Sequence, residues 1–215
     1  QAISPGGSSL YDLNDVYTIS NSAPIVNESG FGDFDKNSLN KALAGKTVSF
    51  TPFIKELEEG INASASPKDL ETLMQLIYLN FTSPRKDSLI FQSYISKNKG
   101  LYSNLLANPM VYFQKTILET IFQNNPRRSF PAVGDFDKIN FDKSISFYKD
   151  RFSNAGDFNF VIVGNVKGDD IAPLIEKYIA SLPSTGKKEQ FKDPKVVVAK
   201  GKVNKEVTMG AAPKT

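Results

Sequence analysis

The chain has 215 residues, a formal net charge of +3, and no histidine, cysteine or tryptophan. Without histidine and cysteine it can build no Ser-His-Asp or Cys-His triad, no HExxH zinc site and no disulfide. Any metal would need oxygen ligands, which favours calcium, magnesium or manganese. The small net charge does not indicate a nucleic-acid partner. The sequence contains no run of 18 apolar residues, so no transmembrane segment is predicted.

The first third of the chain predicts a loop, two helices and a strand pair. The opening QAISPGGSS lacks the regions of a signal peptide and is interpreted as a loop entered part-way, with a first strand and a signal expected upstream. Apolar residues at helical spacing from Leu13 predict a helix that Pro24 limits. Asp35 is predicted to cap a short helix that Gly45 closes. Alternating apolar and polar residues over 47–65 predict a half-buried antiparallel pair.

Three helices are predicted next. Ser66 and Pro67 are typical of the start of the first, and Pro84 ends it. The second begins near Asp87 and the third at Asn108. The apolar faces of the first and third helices are predicted to be buried. These faces comprise Leu70, Leu73, Ile77 and Phe81 in the first and Met110, Phe113, Ile117 and Ile121 in the third.

The C-terminal part predicts a helix, a strand and a helix before a linker. A short helix carries Tyr148 on its apolar face, and residues 157–165 are apolar enough on both faces to predict a central strand. The helix that follows stops at Pro183. The lysine-rich remainder is interpreted as a solvated linker with two β-prone runs, 196–199 and 207–209.

This order of elements predicts an α+β fold, with a mixed sheet and helices gathered on one face. Two copies of GDFDK, at 32–36 and 134–138, each precede a predicted helix and are interpreted as one turn-and-cap arrangement used twice. The first copy also opens an apparent calcium loop. Its first ligand positions would be Asp33, Asp35 and Asn37. Ser38 and Ala44 replace the glycine and glutamate that such a loop requires, which favours a capped turn.

Two other patterns favour ordinary structure over chemistry. Residues 161–170 resemble a strand-glycine-helix phosphate cradle, but Asp169 and Asp170 would repel a phosphate at the helix start. Serine and lysine recur three residues apart without the further elements that an acylating serine needs. These pairs are Ser38-Lys41, Ser96-Lys99, Ser146-Lys149 and Ser184-Lys187.

Several loop residues leave two interpretations open. Arg127 and Arg128 could bind an anion or a peptide carboxylate, although arginines in surface loops are more often solvated. Phe31, Phe34 and Phe130 could line a peptide groove, but nothing in their spacing requires it.

Several motifs, in order, resemble the M16 (pitrilysin/insulinase-like) metallopeptidase family. In the second half they are an Asn-Pro-Arg loop from Asn125, Gly134, a helix with Ser-Phe-Tyr, the strand FVIVGNV and the helix IAPLIEKYIASLP. In the first half ISPGGSSLYD, SGFGDFD, LAGKTVSFTP and SPKDLETLMQLIYLNFTSPRKD resemble the degenerate later repeat of bacterial members. The resemblance covers nearly the whole chain. It implies an α/β roll of the LuxS/M16 metallohydrolase-like type with a mainly antiparallel sheet.

The resemblance also implies that the zinc site of active M16 domains is lost. In those domains HxxEH on the first long helix and a downstream Glu bind zinc and activate water. The degenerate motif falls near Asn21, Pro24 and Ile25, none of which ligates zinc. The downstream Glu would lie on the helix after Asp87, yet no acidic residue occurs between Asp87 and Glu119. No catalytic, cofactor-binding or metal-ligating residue is therefore assigned.

The implied organisation is a non-catalytic domain at 1–184, then a linker and the start of a following domain at 185–215. The expected role is to enclose peptide substrate beside the catalytic half of an M16-like zinc peptidase, which would hold the zinc. The alternative is a stand-alone inactive peptide- or protein-binding subunit of a separate M16 chain. Bacterial members imply the periplasm or cell envelope. An oxygen-ligand metalloenzyme is disfavoured, because no carboxylate cluster stands out, and no cofactor or nucleic-acid partner is expected.

Overall fold

The computed structural model describes residues 1–208, in which four antiparallel strands form one sheet. The strands are β1 (Ala2–Pro5), β2 (Val48–Ile54), β3 (Glu58–Ala65) and β4 (Asn159–Phe160), in the sheet order β2-β3-β1-β4. β2 and β3 form the predicted hairpin, in register from Val48 opposite Ala65 to Ile54 opposite Glu59. The interpretation of the opening residues as a loop is wrong, because β1 pairs with both β3 and β4 in the middle of the sheet.

The helices of residues 1–208 begin close to the predicted positions. They are α1 (Val16–Ser29), α2 (Lys36–Ala42), α3 (Leu70–Thr82), α4 (Ser88–Leu106), α5 (Pro109–Ile121), α6 (Phe141–Arg151) and α7 (Gly168–Leu174), which continues into a π-helical turn, Ile175–Ile179. Asp35, Asp87 and Asn108 each accept a hydrogen bond from a backbone amide in the first turn of α2, α4 and α5, at 2.7 to 3.1 Å. These amides have no acceptor within their own helix, so the capping side chains set where each helix begins.

The main core lies between one face of the sheet and α1, α3 and α6. Ile19 of α1, Ile61 of β3 and Tyr148 of α6 are at most 1% exposed. Phe81 of α3 packs edge-on against Phe152, with 5.5 Å between ring centroids. Burying apolar surface of this kind stabilises the fold by roughly 25 cal/mol per Å². The predicted α+β class, with helices on one face of a mainly antiparallel sheet, is confirmed.

Pro24 does not end the first helix, which runs through it to Ser29. A proline inside a helix removes the amide that would bond the carbonyl four residues earlier. Here that carbonyl belongs to Ser20, which is exposed, so water can solvate it. On the opposite side of α1 the helix is anchored by Ile19 and Val26, both fully buried. The predicted stop at Pro24 is wrong because tertiary packing outweighs a local penalty that solvent relieves.

The segment predicted as a central strand is a short edge strand. β4 has two residues and pairs with β1 alone among the described residues. Val161, Ile162 and Val163, which follow it, are 57%, 44% and 92% exposed. An apolar run on both faces indicates a strand that prefers neighbours on both sides. The apolar pattern shows that such a strand favours a neighbour on each side, but it does not show that a second neighbour is present. The predicted central position of β4 is therefore wrong.

The apolar face of α5 is exposed, contrary to prediction. Met110, Phe113, Ile117 and Ile121 are between 39% and 63% exposed. Helical periodicity predicts that such a face exists, which is correct. Burial needs a second surface, and within residues 1–208 α5 packs mainly against one edge of α4. The predicted apolar face of α5 therefore exists, but the prediction that it is buried is wrong.

Part of the tail contacts the body, although most residues of the tail are exposed. Glu189 forms an ion pair with Arg151 of α6, at 2.7 Å. The backbone amide of Lys192 donates to Ser9 Oγ at 3.0 Å. These contacts bring residues 184–192 alongside the turn that follows β1, which lysine content alone did not indicate.

The two β-prone runs of the tail form no strand within the described residues. In run 196–199 the Ala199 amide donates to the Ile121 carbonyl at 2.7 Å. Run 207–209 extends past the described residues, and 209–215 lie outside them. The domain boundary at 184 and 185 stays a prediction. Every helix of residues 1–208 is too short or too polar to cross a lipid bilayer.

Candidate functional site

The position that the M16 resemblance assigns to the lost zinc motif lies where α1 packs on α4. Asn21 of α1 accepts a hydrogen bond from the Tyr94 hydroxyl of α4 at 2.7 Å. One turn further, Pro24 is exposed and Ile25 is fully buried in an apolar cluster. α4 is the helix after Asp87 on which the resemblance places the downstream ligand. The structure therefore brings the two degenerate elements of the metal site together.

A cavity of about 240 Å³ adjoins this pair. Its polar lining residues are Tyr17, Ser20, Asn21, Tyr94, Asn98, Tyr102 and Asp135. Burial raises the pKa of Tyr94 to about 12. Burial and the neighbouring Asp135 carboxylate also raise the pKa of Tyr17, so both phenols stay protonated near neutral pH. Zinc in proteins is bound by thiolate, imidazole and carboxylate, and a single carboxylate among neutral phenols, hydroxyls and amides does not fit it.

The carboxylate at this cavity, Asp135, is held by its own loop. It accepts hydrogen bonds from the Ala132 amide at 2.8 Å and from Lys138 Nζ at 2.7 Å. Burial acts to raise the pKa of Asp135, but these hydrogen bonds lower it below its ordinary value. The second GDFDK copy thus forms the 3-10 segment Val133–Lys138, while Asn140 caps α6, so the predicted repeated cap is wrong. In the part of the chain that the structure describes, no three acidic side chains cluster as a metal site would require.

The first GDFDK copy is the capped turn that the sequence predicts. The Asp35 carboxylate accepts the Ser38 amide, and this hydrogen bond lowers the pKa of Asp35. Asp33 is exposed to solvent. At the phosphate-like segment, Asp169 and Asp170 lie in the first turn of α7, where their charge favours the helix and opposes a bound phosphate.

The loop residues that the sequence singles out are tied into the structure. The Arg127 guanidinium donates to Ser8 Oγ and to backbone carbonyls, at 2.9 to 3.1 Å. Arg128 forms a two-pronged pair with the Glu56 carboxylate, at 2.6 and 2.9 Å. Both arginines therefore join the 124–140 loop to the segments that follow β1 and β2. Two of the three loop aromatics keep part of their surface exposed, Phe34 and Phe130, whereas Phe31 is fully buried.

A buried ionic cluster was missed at the sequence level. Glu59 of β3 is 1% exposed, and its carboxylate accepts the Gly7 amide at 2.6 Å and lies 3.5 Å from Arg151 Nη1. Burial raises the pKa of Glu59 to about 7, although the Gly7 amide and Arg151 act to lower it. Arg151 also pairs with Glu189 of the tail. The sequence could have indicated this burial, because Glu59 lies two residues before Ile61 on the same strand and therefore faces the same, inward side.

Comparison with known proteins supports the resemblance. A family model described as the Peptidase M16 inactive domain matches residues 138–213. The resemblance to the M16 peptidases is confirmed. The chain is 24% identical over 193 residues to the probable zinc protease PqqL of Haemophilus influenzae, covering 86% of the chain and 20% of that protein. It is 26% identical over 165 residues to the probable zinc protease PqqL of Escherichia coli, covering 73% of the chain and 17% of that protein. The chain thus spans about a fifth of the length of these relatives.

Solved structures share the fold. The periplasmic protease PqqL from Escherichia coli aligns with a TM-score of 0.74 at 23% identity, over 92% of the chain and 22% of that structure. A mutant of the ferredoxin protease FusC, in complex with Arabidopsis ferredoxin, aligns with a TM-score of 0.72 at 17% identity, over 92% and 21%. A protease from Helicobacter pylori aligns with a TM-score of 0.67 at 13% identity, over 92% and 48%.

Proposed function

We propose that this chain is a non-catalytic, substrate-enclosing domain of an M16-like zinc peptidase. The observation that carries the proposal is the hydrogen-bonded pair of Asn21 and Tyr94. It lies at the position that the M16 resemblance assigns to the zinc motif, and it offers only neutral groups. The match of residues 138–213 to an inactive domain supports it. So does the likeness to two probable zinc proteases. The zinc would be held by the catalytic half of the parent protein.

The contribution of such a domain is confinement. A wall that closes over a bound peptide holds the scissile bond near the catalytic groups and excludes bulk water, without taking part in proton transfer. The Asn21–Tyr94 hydrogen bond and the buried Ile25 keep α1 and α4 packed against each other, which suits a rigid wall. The Escherichia coli PqqL of known structure is described as periplasmic, and we assign this chain to the same compartment.

Metal content and peptide hydrolysis test the proposal. The purified chain, dialysed against zinc and then against buffer, should hold no stoichiometric zinc by mass spectrometry of the metal, and it should not cleave a fluorogenic peptide. The parent's catalytic half, expressed as a separate polypeptide, should bind zinc but turn over peptide slowly. Adding this chain should restore turnover. One tightly bound zinc per chain would overturn the assignment.

Native purification separates the domain from the alternative subunit. If the chain is part of a longer protein, antibodies against it should detect a single polypeptide that also carries the zinc-dependent activity. Recovery of a short polypeptide held noncovalently by a separate M16 chain would support the stand-alone partner subunit instead.

A further inference from the structure

Residues 184–192, which we call the strap, lie against the body through a few polar contacts. Beyond the end of α6, the Asn154 side chain donates to the Lys187 carbonyl at 2.8 Å. The backbone amide of Glu189 donates to the Asp157 carboxylate at 3.1 Å. Every residue of the strap is nevertheless exposed. Because a segment with little buried surface can open without unfolding the rest of a protein, the strap is able to detach while the core stays folded.

A cluster of charged side chains lies between the strap and the body. Its members are Glu59 of β3, Asp150 and Arg151 of α6, Asp157 before β4, and Lys188, Glu189 and Lys192 of the strap. Arg151 connects the strap to the sheet, because its Nη1 lies 2.7 Å from Glu189 Oε2 and 3.5 Å from Glu59 Oε1. Gly6 packs against the same guanidinium, and a Cβ atom at this position would come within 2.8 Å of it. The two carboxylates therefore share one cation in a closely packed site.

The four carboxylates of this cluster outnumber its three cations. Glu59 and Asp157 are at most 5% exposed, and charges interact more strongly there than in water because the dielectric constant is lower. With every carboxylate ionised, Glu59 and Glu189 repel each other across the guanidinium that they share. Uptake of one proton brings the charges to three of each sign and relieves this repulsion.

The other ionisable groups near the cluster do not titrate close to neutral pH. The Tyr11 hydroxyl donates to Asp150, and burial raises the pKa of Tyr11, so this phenol stays protonated. The charged residues of the neighbouring β2–β3 turn are paired, Lys55 with Glu58 and Glu56 with Arg128. The chain contains no histidine, and ordinary side-chain carboxyls titrate near about pH 4 and lysines above about pH 10.

Glu59 is the member of the cluster that takes up this proton, since its pKa is raised to about 7. Burial is the largest cause; the Gly7 amide and Arg151 act to lower the pKa, and the charges of Glu189 and Asp157 raise it. When the strap detaches, Glu189 leaves and water reaches the site, so the pKa of Glu59 falls. A group whose pKa is higher in the docked state stabilises that state while protonated, and the contribution is lost as pH rises through the docked pKa.

We propose that the strap is a pH-sensitive latch, docked on the body when Glu59 is protonated and loosened when Glu59 is ionised. The proton and the strap each strengthen the binding of the other, as linkage requires. Beyond the strap the chain continues to Ala199, whose amide donates to the Ile121 carbonyl of α5. Release therefore frees the path between α6 and the end of α5. The latch is built from this chain's own residues and does not depend on the proposed enclosing role.

A single spin label on the strap tests the latch in the full chain. Because the chain contains no cysteine, Phe191→Cys creates one labelling site, at a side chain that is 54% exposed. Electron paramagnetic resonance at pH 5.5 and pH 8 separates the slowly moving docked label from the fast, released one. We expect the ratio of released to docked strap to rise by about fivefold or more, which requires the docked pKa to exceed the released one by about one unit. A label at Lys149→Cys, exposed on α6, is the control and should not respond to pH.

Substitutions combined with the Phe191 label assign the response to the cluster. Glu59→Gln should stay docked at both pH values, because its amide still offers an oxygen to the Gly7 amide and carries no charge. Glu58→Gln should keep the full response. Glu189→Gln, at an exposed position, removes the ion pair with Arg151 and should raise the released fraction at pH 5.5.

Each measurement can overturn the latch. A label at residue 191 that moves equally at pH 5.5 and pH 8 would do so, as would a full pH response in Glu59→Gln. An unchanged released fraction at pH 5.5 in Glu189→Gln would mean that its pair with Arg151 does not hold the strap. Circular dichroism at both pH values checks that the body stays folded. Should Glu59→Gln fail to fold, the pH response of the otherwise unchanged chain and the Glu189→Gln result decide.

Discussion

The helices packed on the sheet and the pair α4 and α5 differ in burial although both groups are amphipathic. α1 has eight buried residues, α3 has six and α6 has four, whereas α4 and α5 have none. α1, α3 and α6 each lie against the strands or against one another, while α5 presents Phe113 and its neighbours to solvent. An apolar stripe is thus a property of one helix, and burial is a property of two surfaces.

The largest expected effect lies on the sheet side. Phe152→Ala should reduce the free energy of unfolding by about 3–5 kcal/mol, because Phe152 is 1% exposed and its ring packs against Phe81, Tyr148 and Phe158. Urea denaturation at pH 7 measures it, with a constant slope as the check on two-state unfolding. A cost below about 1 kcal/mol would mean that the aromatic cluster does not carry the core.

Breaking the buried ion pair should cost slightly less. Arg151→Met is expected to lower the free energy of unfolding by about 3 kcal/mol at pH 8, because the Glu59 carboxyl must then stay ionised without its partner or take up a proton. Lys149→Met, an exposed position on the same helix, is the control and should change stability by less than about 0.5 kcal/mol. Equal effects of the two substitutions would contradict the cluster.

The pKa of Glu59 predicts an unusual pH dependence. An ordinary glutamate titrates near 4.5, and burial raises the pKa of Glu59 to about 7. Between these values the unfolded chain has released the proton that the folded chain keeps, so this group's contribution to stability falls as pH rises from 4.5 to 7, by roughly 2–3 kcal/mol. Melting temperatures across this range should fall in the native chain.

Substitutions at Glu59 and at its neighbour test whether Glu59 causes this pH dependence of stability. Glu59→Gln should remove the decline between pH 4.5 and 7, whereas Glu58→Gln, next to it on the exposed side of β3, should keep it. Asp35, Asp69 and Glu71 have lowered pKa values and act in the opposite sense, gaining stability as pH rises at more acidic values. An unchanged profile in Glu59→Gln would show that another group titrates.

The α1–α4 junction should show a smaller effect. Tyr94→Phe removes the hydrogen bond to Asn21 and should cost about 1 kcal/mol of unfolding free energy. Tyr112→Phe, on the exposed side of α5, is matched in chemistry and should be neutral. If the two variants unfold alike, the Asn21–Tyr94 pair does not stabilise the junction.

The smallest effect is expected on the exposed face of α5. Phe113→Ser should change the free energy of unfolding by no more than about 0.5 kcal/mol, since the side chain is half exposed. Its solubility should rise, because a contiguous apolar patch favours association. A loss comparable to that of Phe152→Ala would show that α5 is packed in solution and would remove the contrast between the two regions.

Much of the local structure could be predicted because it depends on neighbours in sequence. The caps at Asp35, Asp87 and Asn108 follow from side chains that reach amides two or three residues away. The β2–β3 hairpin follows from a period of two. Three features depend instead on contacts between segments far apart in the chain. They are the exposure of α5, the edge position of β4 and the continuation of α1 through Pro24. The burial of Glu59 was missed for the same reason, although its spacing of two residues from Ile61 places both on the same face of β3.

At the candidate site, the loss of zinc ligands could be predicted and the replacement could not. The sequence by itself determined that no imidazole or thiolate exists in the chain and that no carboxylate follows Asp87 until Glu119, because composition bounds the chemistry available. Only the tertiary structure decided that Asn21 and Tyr94 close the junction with a hydrogen bond, and that β1 pairs with both β3 and β4. Both depend on which segments meet across more than 50 residues, and pairing at that range is decided by packing of the whole chain and not by local pattern.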